Sequence, residues 1–385
     1  MTTAIHNESP CVTSEPNKAQ VESGYEAFIE EKNYVSPYGK TFVKNIWYFA
    51  VPSNSLKRGA MTAKVILNQP ILVGRDKDGQ VFAIQDICPH QAVPLSAGTF
   101  DGQSVACPFH GWKFDTDGTC SEIPSLCSDQ KMNLRSIRTL SYPCREVLDS
   151  VWVYIGEYKD EKDLPEVPQA PGLDGYKYSK TTTTLLLPTH VDYAVAALID
   201  TAHVPYVHTS WWWRSAKSLK EKAKKYVPSG TGWTMVKHKP SKHSIVFKLI
   251  GQYLETEISF RLPGCRREYI SVGNRTMLAG ITTLTPIDDT HTELNHTTYW
   301  TIPGLTWFTP VIDYFVTTFL MQDATLARMQ EVILNKYKPK LIMTIKDAGT
   351  PGHWYFLLKK EWNEATEQGR AFINPIKESI LRWRT

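Results

Sequence analysis

Two short stretches decide the reading of this chain: Cys88-Pro89-His90, opening CPHQAVPLSAG (88–98), and Cys107-Pro108-Phe109-His110, opening CPFHGWKF (107–114). Each offers one thiolate and one imidazole, and a β-rich segment separates them. A zinc site is the simplest use of two Cys and two His, but zinc fingers pair Cys with Cys at one loop and His with His at the other. Here each loop mixes the two types, so the ligand set has to be divided in a different way.

A Rieske [2Fe–2S] cluster requires that division, because two cysteines hold one iron and two histidines the other, and each loop supplies one ligand to each iron. Pro94-Leu95-Ser96 with Gly98, and His110-Gly111-Trp112 with Phe114, match the pattern of the Rieske family. The positions where respiratory Rieske proteins carry an extra disulfide are Val93 and Phe109, so the cluster resembles the disulfide-free type of oxygenases and ferredoxins. Gln91 stands where Arg is usual in the oxygenases and Phe109 where Tyr is frequent. Neither position ligates, so they bear on the potential and leave ligation intact.

Around these loops, from about Tyr34 to Tyr158, the pattern is short and strand-like: NIWYFAV (45–51), KVILNQPILVGR (64–75), a turn at Asp76 to Gly79, then VFAIQDI (81–87). Asp115-Thr116-Asp117-Gly118 signals a hairpin that follows a strand through Trp112 to Phe114. After the apolar run Val151 to Ile155, the Pro- and acid-rich DEKDLPEVPQAPGLDG (160–175) reads as a linker. Beyond it, Val191 to Ala202 reads as a helix, Ile245 to Arg261 and Ile270 to Trp300 as strands with a turn at Pro286 to Thr290, and Pro310 to Asn335 as a long helix. The expected division is a tail over 1–40, a cluster domain over 41–160 and an α+β domain over 161–385.

A cluster carrier needs only the first of these domains, and Asp200-Thr-Ala-His203-Val-Pro205-Tyr-Val-His208 gives the second its chemistry. Asp200 and His203 are three apart, as on one helix face, and Pro205 is expected to break the helix and let His208 return to the same point. The spacing resembles the mononuclear iron motif of Rieske non-haem iron oxygenases. A 2-His-1-carboxylate site needs an acid, and Asp323, between Phe319 and Leu326 on the long helix, is the candidate; Asp313 and Glu331 compete. A bare carboxylate on an apolar helix face is costly unless it is paired or bound to metal.

The resemblance to the terminal oxygenase component (α subunit) of that family covers roughly residues 45 to 340. It implies an all-β Rieske domain followed by a helix-grip (START-like) antiparallel sheet, with Cys88, His90, Cys107 and His110 on the cluster and His203, His208 and Asp323 on Fe(II). It implies that Asp200 bridges a ligand histidine to a Rieske histidine of the neighbouring subunit in a homotrimer. Ala197 occupies a position where many relatives have Asn. O2 is the expected co-substrate, and electrons come from a separate ferredoxin or flavin reductase that uses NAD(P)H, since the chain shows no GxGxxG or Walker signature. The apolar residues near the triad favour a ring-bearing apolar substrate, hydroxylated or oxidatively demethylated; cis-dihydroxylation and a non-catalytic electron carrier are the alternatives.

The remaining features bound these readings. In 385 residues, 43 Lys and Arg against 39 Asp and Glu leave a charge too even for a nucleic-acid binder. Seven irregularly spaced cysteines make no disulfide framework, which favours a reducing, cytoplasmic setting; Cys120, Cys127, Cys144 and Cys265 read as buried thiols. The N-terminus lacks a signal pattern, and Pro303, Gly304, Pro310 and Asp313 interrupt the apolar run from Thr301 to Met321, which argues against a spanning helix. Trp211-Trp212-Trp213, followed by Arg214, Lys217, Lys220, Lys222, Lys224 and Lys225, reads as core aromatics leading into a solvated helix, as a wall of the substrate channel, or as a surface for membrane or an acidic donor.

Overall fold

The computed structural model describes residues 38, 41–158, 160–169, 173, 176–210, 219–240, 253–339, 341 and 345–385. The strand-like pattern of the first half becomes three small antiparallel sheets. In one, β1 (Ile46–Pro52) pairs with β11 (Ser150–Ile155), which pairs with β10 (Cys144–Val147). The near-continuous apolar runs of β1 and β11 are buried on both faces, because successive side chains alternate. Trp47, Phe49, Trp152 and Tyr154 form one cluster; Tyr48, Ala50, Val151, Val153 and Ile155 enter another.

The expected linker lies against the first of these faces. Trp47 Nε1 donates to the Pro165 carbonyl at 2.6 Å, and Val167 is buried with the aromatics. Within it, Leu164, Pro165 and Val167 cover one side of β1 and β11.

The second sheet contains β2 (Ala60–Ile66), β3 (Gln69–Arg75), β4 (Val81–Gln85) and β9 (Ser141–Tyr142). The run KVILNQPILVGR is split between β2 and β3 at Leu67 and Asn68, both at positive φ, as a tight two-residue hairpin turn requires. The third sheet is β5 (Thr99–Phe100), β6 (Ser104–Ala106), β7 (Lys113–Asp115) and β8 (Cys120–Glu122). The DTDG hairpin joins β7 to β8. At Gly118, with φ +82°, a Cβ would come within 2.4 Å of the Thr139 carbonyl oxygen, so glycine is required there.

The second half is one eight-stranded antiparallel sheet in the order β12-β18-β17-β16-β15-β14-β13-β19. Its strands are β12 (Ser179–Leu187), β13 (Glu221–Ser229), β14 (Gly232–His238), β15 (Leu254–Arg261), β16 (Cys265–Val272), β17 (Arg275–Pro286), β18 (Thr292–Trp300) and β19 (Ser379–Arg384). The α-helices among the described residues are α1 (Val191–Ile199), α2 (Val204–Val207), α3 (Thr309–Tyr337) and α4 (Thr350–Glu367). The stretch from Ile270 to Trp300 holds a second turn, at Gly273-Asn274, because glycine at φ +57° reverses the chain between β16 and β17. The expected solvated helix after Trp213 is corrected: Lys222, Lys224 and Lys225 lie on β13, whose side chains alternate between faces. Trp211 to Lys217 fall outside the described residues, as do Ile245 to Gln252 and all of 1–40 except Tyr38.

The two halves share a core. Tyr48, Ile66, Val73 and Val153 belong to the same apolar cluster as Val195, Tyr226, Trp233, Leu284 and Trp354. The β2–β3 turn is tied to the β17–β18 turn by Leu67 N–H to the Pro286 carbonyl at 2.9 Å and Asn68 N–H to the Ile287 carbonyl at 2.8 Å. Lys64 and Glu293 add an ion pair at 2.6 Å. Between α1 and α4, the buried Lys359 ammonium donates to Asp192 at 2.7 and 2.9 Å, and Tyr355 donates to the same carboxylate at 2.7 Å.

Candidate metal centres and the cavity beside them

The two Cys-Pro loops are structural copies. In the first, Cys88 N–H donates to the Val93 carbonyl and Ala92 N–H to the Cys88 carbonyl, both at 2.9 Å. In the second, Cys107 N–H donates to the Trp112 carbonyl at 2.8 Å and Gly111 N–H to the Cys107 carbonyl at 3.0 Å. Each loop turns at a left-handed residue four places after its cysteine, Ala92 at φ +56° and Gly111 at φ +72°. The two cysteines are buried and the two histidines exposed. The His90 and His110 rings lie 4.8 Å apart, and His90 stacks on Trp112 at 4.5 Å and 3°.

Burial raises the Cys88 thiol above its usual range, and the neighbouring Cys107 adds to the shift. Two buried thiols beside each other under two exposed imidazoles fit a donor set that a cluster would hold as thiolates and neutral rings.

The second constellation forms where α1 ends. The helix stops at Ile199 with Asp200 as its C-cap, and Pro205 lies in the first turn of α2. The expected geometry is corrected here: Asp200 and His203 share no helix face, and Pro205 starts a helix instead of breaking one, because its fixed φ suits a first turn and it has no N–H to lose there. The Asp200 carboxylate accepts from Ala202 N–H at 2.7 Å, while the Asp200 carbonyl oxygen faces His203 Nδ1 at 2.7 Å. His203 is thus oriented through the backbone of Asp200, not through its side chain.

His208 is buried, stacked on Phe319 at 3.6 Å and 14°, and its Nδ1 lies 3.0 Å from Gln322 Oε1. Asp323 Oδ1 sits 3.8 Å from His203 Nε2 and 3.5 Å from His208 Nε2. One donor atom from each residue lies within 4.8 Å of the others. Of the competing acids, Asp313 accepts from Thr181 and Thr183 hydroxyls at 3.2 and 3.1 Å, and Glu331 accepts from Asn335 on the helix exterior.

Electrostatics fit a cation in this space. Burial lifts the Asp323 carboxyl to about 7 and drops His208 to about 4, and burial also lowers His203. Without a metal, a carboxyl and two neutral imidazoles are each held away from their charged forms, and a divalent ion would reverse the preference of the acid.

A cavity of about 750 Å³ opens beside the three residues. Ile258, Ile270, Leu278, Phe315 and Val316 supply apolar wall. The sequence reading missed its polar floor. Arg266 and Glu268 on β16 pair at 3.0 Å, and His296 on β18 bonds to Thr282 at 2.7 Å and Thr298 at 3.1 Å. The signal was present in CRREYISV (265–272), where Arg266, Glu268 and Ile270 alternate onto one face. Cys127 corrects another expectation: it is exposed, while Cys120 and Cys265 are buried and Cys144 is half-buried.

Residues 46–139 match the family model "Rieske [2Fe-2S] domain". The chain therefore carries a Rieske domain, followed by an antiparallel sheet and helices that bring two histidines and an aspartate together. Its relatives include chlorophyllide a oxygenase of Arabidopsis thaliana, 31% identical over 46% of this chain and 31% of that protein. The oxygenase component of dicamba O-demethylase from Stenotrophomonas maltophilia is 31% identical over 44% of this chain and 48% of that protein. The chain thus spans about a third to a half of the length of these curated relatives. Over most of its length it has the fold of Pseudomonas putida CBB5 NdmA, solved with caffeine: TM-score 0.69, 17% identity, 87% of this chain and 96% of that one. Among the described residues, no helix is long and apolar enough to cross a membrane.

Proposed function

We propose that the chain is the terminal oxygenase component of a multicomponent system and inserts oxygen from O2 into an apolar, ring-bearing small molecule by hydroxylation or oxidative demethylation. The observation that carries this reading is the convergence of His203, His208 and Asp323 at one side of a largely apolar cavity, in a chain that also has a Rieske domain. Cys88, His90, Cys107 and His110 would hold the [2Fe–2S] cluster; His203, His208 and Asp323 would hold Fe(II). The cluster would supply single electrons and the Fe(II) would supply the place where O2 reacts.

The protein's own residues do the rest. Gln322 accepts from His208 Nδ1–H and keeps its Nε2 lone pair turned toward Asp323, and the Asp200 carbonyl does the same for His203. The apolar walls bind rings and exclude water. In this reading residues 41–160 form the cluster domain and 161–385 the catalytic domain. The electron donor is a separate ferredoxin or flavin reductase, and Asp200 carries the electron path from a neighbouring subunit of a homotrimer. The named oxygenase relatives support this role. None of the described cysteines is disulfide-bonded, which supports a reducing, cytoplasmic setting.

Iron and acid-labile sulfide analysis of the purified protein tests the reading. Two cluster irons and one mononuclear iron per chain are expected, with O2 uptake dependent on a reductase. A protein with the cluster alone is an electron carrier, and the oxygenase reading fails.

A further inference from the structure

We propose that Thr298, Glu268 and Arg266, grouped around Gly280 on the sheet wall of the cavity, bind an alcohol or phenol hydroxyl of the substrate, with His296 holding Thr298 in place. The proposal rests on the reading of this cavity as the substrate site and deepens it by naming a polar group that the apolar molecule carries. Register brings the residues together. Glu268 on β16 stands opposite Gly280 on β17, and Gly280 opposite Thr298 on β18. One row along, Arg266 is opposite Thr282, and Thr282 opposite His296. All six line the cavity. Gly280 interrupts the side chains of a 12-residue strand, and a glycine inside a strand marks a close approach by another group. A Cβ there would come within 3.1 Å of His296 Cε1 and 3.6 Å of its Nε2, so its absence lets the imidazole lie against β17 and keeps the row between Glu268 and Thr298 clear of a side chain. The charge of Arg266 acts on His203, His208 and Asp323 as well as on His296, which puts this patch on the triad's side of the cavity.

Hydrogen-bond accounting selects the ligand group. His296 is uncharged, since burial and the Arg266 charge drop it to about 4. A neutral imidazole has one N–H and one lone pair, so of its two partners, Thr282 at 2.7 Å and Thr298 at 3.1 Å, one hydroxyl donates to the ring and the other accepts from it. Thr282 is fully buried, whereas Thr298 is half-buried and lines the cavity, so the bonding capacity that the ring leaves over is offered to a ligand by Thr298. A ligand hydroxyl satisfies Thr298 in either tautomer, by donating in one and accepting in the other; a carbonyl or ether oxygen can do so in only one. Across Gly280, Glu268 Oε2 accepts from Arg266 Nη2 at 3.0 Å, and both side chains keep accessible surface. The pair has no net charge. Its carboxylate has lone pairs beyond the one Arg266 uses, which accept from a hydroxyl and repel a second carboxylate.

The test is equilibrium binding of 1-pyrenemethanol, 1-ethylpyrene and 1-pyrenecarboxylate to the purified holoprotein, read as quenching of tryptophan emission, since Trp233 and Trp300 line the cavity. The alcohol and the ethyl compound have nearly the same shape, so a lost hydrogen bond separates them. Thr298→Val keeps the side chain's shape without its hydroxyl, and should weaken the alcohol about two- to tenfold while leaving ethylpyrene unchanged. Thr298→Ser should retain the alcohol's affinity. Glu268→Gln leaves Arg266 unopposed and should tighten the acid about tenfold. Equal effects of Thr298→Val on alcohol and ethylpyrene, or no effect on either, overturn the proposal. So does an acid that binds Glu268→Gln no better than the wild type. The assay needs no turnover: Thr298-dependent alcohol binding without O2 uptake would sink the oxygenase reading and leave the hydroxyl site standing, and O2 uptake with Thr298-independent binding would do the reverse.

Discussion

His208 Nδ1 lies 3.0 Å from Gln322 Oε1, and the Gln322 amide nitrogen donates in turn to Ser210 Oγ at 2.9 Å. Gln322 is next to Asp323 in sequence, so one turn of α3 supplies both an acid for the site and the group that fixes a histidine's tautomer. Gln322→Leu should lower Fe(II) affinity by about ten- to a hundredfold, the usual cost of losing such a partner. Chelator competition measures this, with the visible spectrum of the cluster unchanged. Unaltered affinity would show that Gln322 only packs.

Asp323 gives the site a pH dependence. In the metal-free protein its pKa is raised from 3.8 to about 7 by burial, so the folded state binds the proton more tightly than the unfolded one. The resulting stabilisation is fully present below the unfolded value and is lost as pH rises through about 7. Metal-free protein should therefore melt at higher temperature at pH 5 than at pH 8, relative to Asp323→Asn run in parallel. Fe(II) affinity has the opposite trend and falls roughly tenfold per pH unit below 7, because the ligand must lose its proton. His208, held near 4, adds no slope to Fe(II) affinity above that pH; its contribution to stability rises between about 4 and 6.5 and cancels in the comparison with Asp323→Asn.

The Lys359–Asp192 pair is buried at both ends. Lys359→Met removes the ammonium from the Asp192 carboxylate inside the core, with Tyr355 still donating to it and His190 Nδ1 3.4 Å away, and should cost about 3–5 kcal/mol in denaturant unfolding. Asp192→Leu combined with Lys359→Met should recover much of that loss. If the single and double variants are equally unstable, packing rather than charge accounts for the effect.

The twin loops allow a gain as well as a loss. Ala92 holds a left-handed conformation that Gly111 holds in the other copy, and an alanine there carries about 1–2 kcal/mol of strain. Ala92→Gly should raise the temperature at which the cluster's visible absorption is lost. Cys107→Ser should abolish that absorption and leave one iron per chain.

How much of this could be read from the sequence depends on how local each contribution is. Cys88 and His90, or His203 and His208, lie within one loop or one turn, so their spacing carries their geometry. Asp323 is remote in sequence, yet an acid on an apolar helix face demands a partner, and the fold brings it beside the two histidines. Arg266 and Glu268 alternate onto one face of β16, a local signal, but that this face lines the cavity together with His296 of β18 depends on how the strands align in register, which no spacing encodes. The role of Asp200's backbone escaped for a different reason: carbonyl direction follows from where α1 ends, and helix ends are set by capping and packing as much as by composition.

The shared core has a consequence for taking the molecule apart. Tyr48, Val151 and Val153 turn one face of β1 and β11 into the cluster that holds Tyr226, Trp233 and Trp354. A chain truncated at residue 160 would expose that face to water and lose the Pro165 and Val167 cover on the other. The iron–sulfur portion of this polypeptide is therefore no exchangeable cartridge. Swapping it for the corresponding piece of another protein would require redesigning the seam along β1, β11 and the β17–β18 turn, and heating the intact chain should unfold both portions in a single cooperative transition.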